Sequence, residues 1–132
     1  MLHIENLRID LAGQTIIEHI NLDLAAGQSL ALSGASGSGK TTLLRAIAGL
    51  NEPQEGRITC QAKRLAYLYQ EPRLLPWLRA DENIRLVAPD ASDARIRQLL
   101  ADLWLDGKDA RKYPHELSGG MQQRIALARA LI

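Results

Sequence analysis

An α/β fold is predicted for this chain, with a strand, a glycine-rich loop and a helix at its centre and a more helical second half. Three observations carry the expectation. The stretch GASGSGKTT, Gly34 to Thr42, stands between the apolar runs SLALS and LLRAIAGL. Ahead of it apolar residues alternate as they do in strands, and well behind it they recur at helical spacing. The last run, LSGGMQQRIALARALI, Leu117 to Ile132, places a serine and two glycines before a helix.

Taken in order, Leu2, Ile4, Leu7, Ile9 and Leu11 predict a strand with one irregularity, and INLDL, Ile20 to Leu24, alternates cleanly before a turn at Ala26 and Gly27. An antiparallel layer is therefore expected first. Ser29 to Leu32 reads as a short buried strand. Leu43, Leu44, Ile47 and Leu50 follow at helical spacing, with Gly49 placed to end the helix. NEPQEG, Asn51 to Gly56, is a turn-rich connector, and short strands follow at Arg57 to Cys60 and Leu65 to Tyr69, the second ending in Gln70. From Glu71, EPRLLPWLRADENIRLV carries two prolines and apolar residues that no period explains, so a loop and then a short helix from about Ala80 are expected. Ser92 caps a clearer helix with Ile96, Leu99, Leu100 and Leu103 on one face, ending near Asp106 and Gly107. KDARKYPHE is a connector, and the final helix sets Met121, Ile125, Ala128 and Ile132 on one side.

The central stretch fits G-x-x-x-x-G-K-[ST], the P-loop, with Gly34, Gly39, Lys40 and Thr41 at the fixed places. A triphosphate offers several anionic oxygens, and a glycine-rich turn can aim successive backbone N–H groups at them with no Cβ in the way. The candidate binding residues are Gly34, Ala35, Ser36, Gly37, Ser38, Gly39, Lys40, Thr41 and Thr42. Lys40 would reach the terminal phosphates, the Thr41 hydroxyl can ligate magnesium, and the helix beginning near Lys40 points its positive end at the same anion.

Bulk properties narrow the partners. Sixteen basic against fifteen acidic residues give a net charge of +1, so no overall field favours nucleic acid or an anionic membrane. The single cysteine, Cys60, cannot form an internal disulfide, as suits a reducing cytosol. MLHIENLRID has charges where a signal peptide needs an apolar core, and no 18-residue apolar run occurs.

The P-loop, Gln70 at the end of a strand and LSGGMQQR ahead of a helix, in that order, together resemble the nucleotide-binding domain of ATP-binding cassette (ABC) transporters. The resemblance runs the length of the chain. It implies a core from about residues 1–70 and 121–132 and a helical subdomain from about 71–120. It also implies a head-to-tail homodimer or cassette pair, in which ATP with Mg2+ lies between the P-loop of one copy and Ser118, Gly119 and Gly120 of the other. Gln70 would be the Q-loop glutamine, serving magnesium and the attacking water. QEPRLLPW, Gln70 to Trp77, looks more particularly like the importer ATPases for nitrate, taurine and aliphatic sulfonates. In those, the surface beside the Q-loop receives a membrane permease subunit, and Leu74, Leu75 and Trp77 would be its apolar anchors. The location implied is cytoplasmic, on the inner face of the cell membrane.

The pattern departs from the family in three places. The adenine-stacking aromatic falls at Leu11, and the fifth signature position is Met121. The resemblance is also to the front part of the domain only. The Walker B aspartate, catalytic glutamate and switch histidine that follow ARAL in the family have no counterpart up to Ile132, and His3, His19 and His115 lie upstream. Hydrolysis by these residues alone is therefore not expected, and Ile125, Leu131 and the P-loop strand should expose apolar faces. The competing expectation is a nucleotide-binding or interaction fragment without turnover. A small P-loop kinase would leave LSGGMQQR unexplained, and the cassette ATPases of DNA repair need long coiled coils that do not fit between Gln70 and Ser118.

Overall fold

The computed structural model describes residues 1–132 as two compact units, Met1–Leu65 and Ala66–Ile132. In the first, β1 (Leu2–Leu11) and β2 (Gln14–Leu24) form a hairpin closed by Ala12 and Gly13, at φ of 50° and 79°. Two positive φ values in a two-residue loop give the twist that antiparallel strands require. β3 (Glu55–Cys60) pairs with the other edge of β1, so the sheet is antiparallel in the order β2-β1-β3.

The irregularity expected in β1 is a bulge. Ile4 and Leu7 stand three apart, a spacing that would put them on opposite faces of a regular strand, yet both are buried together with Ile9. Register breaks between Ile4 and Leu7 toward β2 and between Glu5 and Arg8 toward β3, and Asn6 takes φ of 45°. The extra residue returns Leu7 to the core face. Opposite it, Gly56 lies so close that a Cβ would sit 2.3 Å from the carbonyl oxygens of both Glu5 and Asn6. Only glycine fits.

α1 (Lys40–Ile47) buries Leu43 and Ala46 in the cluster formed by Ile4, Leu7, Ile9 and Ile17. It ends as expected at Gly49, φ 71°, where Leu50 N–H donates to the Arg45 carbonyl at 2.8 Å and Gly49 N–H to that of Ala46 at 2.9 Å.

Two expected strands do not form. Ser29 to Leu32 and Leu65 to Tyr69 carry no ladder, and Leu30 and Leu65 are about half exposed, at 48% and 51%. Ser29 to Leu32 reads as a buried strand and Leu65 to Tyr69 as a short one, and a strand needs a hydrogen-bonded neighbour and, where it is buried, cover on both faces. The one sheet in the chain is β2-β1-β3, which offers them neither. The apolar run was legible; its partners were not local.

The second unit holds α2 (Ala80–Arg85), α3 (Asp93–Asp102) and α4 (Gly119–Leu131), with single 3₁₀ turns at Asp109–Arg111 and Pro114–Glu116. Its core joins Ala80, Ile84, Ile96, Leu99, Leu100, Leu105, Leu117, Ile125 and Ala128. Ser92 caps α3 as expected, its Oγ accepting from Arg95 N–H at 3.2 Å. The helix stops short of Asp106, because Leu105 must swing back into the core. Leu105 N–H donates to the Leu100 carbonyl, Trp104 N–H to that of Ala101, and Trp104 takes the left-handed position at φ 54°. Contrary to expectation Ile125 is fully buried, since the helical cluster covers it, whereas Leu131 is exposed.

Candidate functional site

The P-loop is a turn with the conformations that its glycines permit. Gly34, Gly37 and Gly39 take φ of 150°, 81° and 87°, values that a side chain would resist. At Gly39 crowding adds to this: a Cβ would lie 3.2 Å from both Cγ2 and the carbonyl oxygen of Ile16 on β2. The hairpin thus presses on the loop from behind, and Ser38 N–H closes the turn on the Ala35 carbonyl at 3.3 Å.

Gly39 is also the N-cap of α1. No side chain caps the helix start and no acidic residue occupies its first turn. A helix start left bare in this way offers free N–H donors and the positive end of the helix dipole to an anion. Lys40 folds over the same loop, its Nζ donating to the carbonyls of Gly34 at 2.8 Å and Ala35 at 2.6 Å and to Ser38 Oγ at 3.2 Å. An ammonium held by three exposed oxygens is positioned over the loop, and it can exchange them for phosphate oxygens at small cost.

The residues present therefore fit a triphosphate. They fit magnesium in one way only: Thr41 is exposed in the first turn of α1, and no group of three or more His, Cys, Asp or Glu could hold a metal without further ligands. Mg2+ would come with its phosphates, as that ion commonly does.

In the second unit Ser118 is the N-cap of α4, its Oγ accepting from Met121 N–H at 3.3 Å. Gly119 and Gly120 are exposed in its first turn, and a Cβ on either would meet nothing within 4 Å. Neither glycine is required by φ or by crowding within the chain. What they leave is a bare approach to the helix start.

Gln70 lies in an irregular segment, side chain exposed, and its carbonyl accepts from Gln123 Nε2 of α4 at 2.7 Å. The structure thus brings the Gln70 segment to the helix that begins at Ser118. Sequence reasoning passed over Gln123 and also over Arg129, whose guanidinium donates to the carbonyls of Pro72 and Arg73, both at 3.1 Å. Backbone acceptors leave no signature in sequence, so no signal pointed to either residue. Asn83, fully buried, was missed for the same reason: it accepts from Leu75 N–H at 2.8 Å and donates to the carbonyls of Leu75, Leu78 and Arg79. The expected trio of apolar anchors divides, since Leu74 packs against the unit's own core while Trp77 is 68% exposed.

An antiparallel layer, a glycine loop on an uncapped helix and a helical unit whose last helix begins at LSGG define an ABC-type ATPase fold. The ABC transporter family model matches residues 17–132, and the chain belongs to that family. It is 46% identical over 132 residues to the aliphatic sulfonates import ATP-binding protein SsuB 2 of Streptomyces avermitilis, covering 98% of this chain and 52% of that protein. To SsuB 2 of Pseudomonas syringae pv. tomato it is 41% identical, covering 96% of this chain and 56% of the relative. Among solved structures, the dimeric bacterial ABC transporter cassette MJ0796 superposes with a TM-score of 0.86 at 27% identity, covering 99% of this chain and 69% of that one. A second structure of MJ0796, bound to ADP and phosphate, superposes at 0.84. The chain spans about half the length of the curated relatives it matches.

Proposed function

We propose that the chain is the nucleotide-binding part of an ABC importer subunit, which binds MgATP and energises solute uptake through a membrane permease. The observation that carries this reading is the P-loop itself: three glycines at positive φ before an uncapped helix, with Lys40 folded over the loop. Gly34 to Thr42 would cradle the phosphates, and Thr41 with Gln70 would serve magnesium. Ser118, Gly119 and Gly120 of a second copy would close on the nucleotide, and their open surroundings support that role. The dimeric solved relative and the importer names of the curated ones support the pairing and the transport role. Those names make organic sulfonates the first solutes to try. In the complete domain we assign about residues 1–70 and 121–132 to the core and about 71–120 to the helical subdomain. The working location is the cytoplasmic face of the membrane; no helix here is long and apolar enough to cross one.

The test is calorimetric titration with ATP and Mg2+. Lys40→Ala should weaken binding by about 1.5 to 3 kcal/mol, the worth of a hydrogen bond to a charged group. Equal affinity for the variant and the parent would sink the reading. These 132 residues by themselves should also release little phosphate, because a positioned general base contributes about 10²- to 10⁴-fold and the family's catalytic glutamate has no counterpart among Met1–Ile132. Docking of the permease would fall to Trp77: Trp77→Glu should abolish co-purification with the permease and leave ATP binding intact.

A further inference from the structure

On the helical unit two hollows share a wall. The first, of about 140 Å³, is charged, with Arg85, Arg97 and Arg111 along it together with Asp81 and Asp93. The second, of about 160 Å³, is mostly apolar and lies against Leu100, Ala101 and Leu105. Arg97, Gly107 and Ala110 line both, so the two are ends of one groove. The charges of the first end do not cancel. Arg85 is committed, donating to Asp93 and, at 2.9 Å, to the Ala91 carbonyl. Arg97 and Arg111 take part in none of the chain's ion pairs, which leaves two guanidiniums against the one carboxylate of half-buried Asp81. A guanidinium stays charged at every physiological pH and meets an oxyanion through two parallel donors. The other end is shaped by the turn that returns Leu105 to the core, where its N–H donates to the Leu100 carbonyl at 2.9 Å. Apolar space of about 150 Å³ takes a molecule the size of benzene, about six carbons. Gly107 stands where the ends meet. It does not take a positive φ and a Cβ there would meet nothing within 4 Å, so neither conformation nor crowding calls for glycine. What its missing side chain leaves is the passage. The loop around it is held, since Asp106 Oδ1 accepts from the N–H groups of Lys108 and Asp109 at 2.7 and 2.9 Å and Asp109 Oδ2 accepts from Asp106 N–H at 3.2 Å.

We propose that this groove binds a small amphipathic anion: one sulfonate, carboxylate or phosphate group on Arg97 and Arg111, with an aliphatic chain of about six carbons along Leu100 and Leu105. The site lies wholly within the helical unit and is independent of the nucleotide-binding reading.

Backbone amide chemical shifts of the 132-residue chain, titrated with 1-hexanesulfonate, test this. The amides of Arg97, Gly107 and Arg111 should shift saturably, and the absence of a saturable shift would overturn the proposal. Methanesulfonate carries the head without the chain and 1-hexanol the chain without the head, so each should bind about tenfold more weakly or worse. Equal affinity for either would reject a two-ended site. Lengthening the chain from butanesulfonate to hexanesulfonate should tighten binding by up to about fourfold per CH₂, and decanesulfonate should gain nothing more because the apolar end is full. A gain that continues to decanesulfonate would mean adsorption to general apolar surface and would reject the groove. Arg97→Gln with Arg111→Gln should weaken hexanesulfonate about tenfold, and both side chains are exposed, so the fold tolerates the change. Gly107→Leu should weaken it similarly by filling the passage, at an unchanged melting temperature. Parental affinity in either variant, with parental melting temperature, would overturn the assignment.

Discussion

His3 on β1 faces Asp23 on β2 across the hairpin, its Nδ1 2.5 Å from Oδ1. The hydrogen bond to Asp23, then its charge, raises the His3 pKa above its ordinary value, with Glu5 adding a little. A raised histidine stabilises the fold fully below the unfolded value of about 6.5, and the gain is lost as pH climbs through the folded value. Asp23→Asn should therefore lower the melting temperature near pH 5.5 and leave it unchanged by about pH 8.5. A melting difference that does not shrink with pH would reject the pairing. At the same scale the sequence was informative wherever a residue type is forced by conformation. Gly39 and Gly49 could be placed from the motif and the helix end, and both take positive φ as required. Gly56 could not, because its reason is the carbonyl pair of Glu5 and Asn6, some 50 residues upstream in the chain.

Elements were legible when their evidence was local. The caps of Ser92 and Ser118, the start of α2 and the ends of α1 follow from residues within one turn. The end of α3 was not, since it is set by Leu105 turning back to a core assembled from α2 and α4. α2 itself has only six residues, too few to persist on propensity alone. What fixes it is Asn83, whose amide satisfies four backbone groups of the preceding loop while buried completely. Asn83→Leu keeps the branching of the side chain, though not its volume, and removes its amide from every one of those bonds. Leaving part-buried backbone groups at Leu75 and Leu78 without their partner should cost about 1 to 3 kcal/mol and destabilise the helical unit. Urea titration of the variant checks this, with a midpoint within error of the parent as the contrary result.

For the whole molecule, each unit has its own apolar cluster, and the segment from Gln61 to Ala66 between them is exposed and without regular structure. It contains Lys63 and Arg64. Limited trypsin digestion should cut there first and yield two fragments meeting near residue 64, because a protease needs several exposed residues in extended form. First cleavage inside α4 or at Arg8 would contradict this. The antiparallel layer and the helical unit were both readable as wholes, since each closes on itself. The candidate site was readable as motifs. Its internal fastening through Gln123 and Arg129 was not.

The two apolar stretches that found no ladder, Ser29 to Leu32 and Leu65 to Tyr69, have a kinetic consequence. Each lacks regular structure and leaves its leucines partly exposed, Leu30 at 48%, Leu32 at 37%, Leu65 at 51% and Leu68 at 47%. Such a segment is a template: it will accept a strand from whatever chain arrives first, including another copy of itself. When these 132 residues refold alone, the outcome is therefore a race. The hairpin of β1 and β2 closes within microseconds, whereas satisfying these two segments depends on encounters and so on concentration. The refolding yield of these 132 residues should therefore fall as their concentration rises, which light scattering across a dilution series checks.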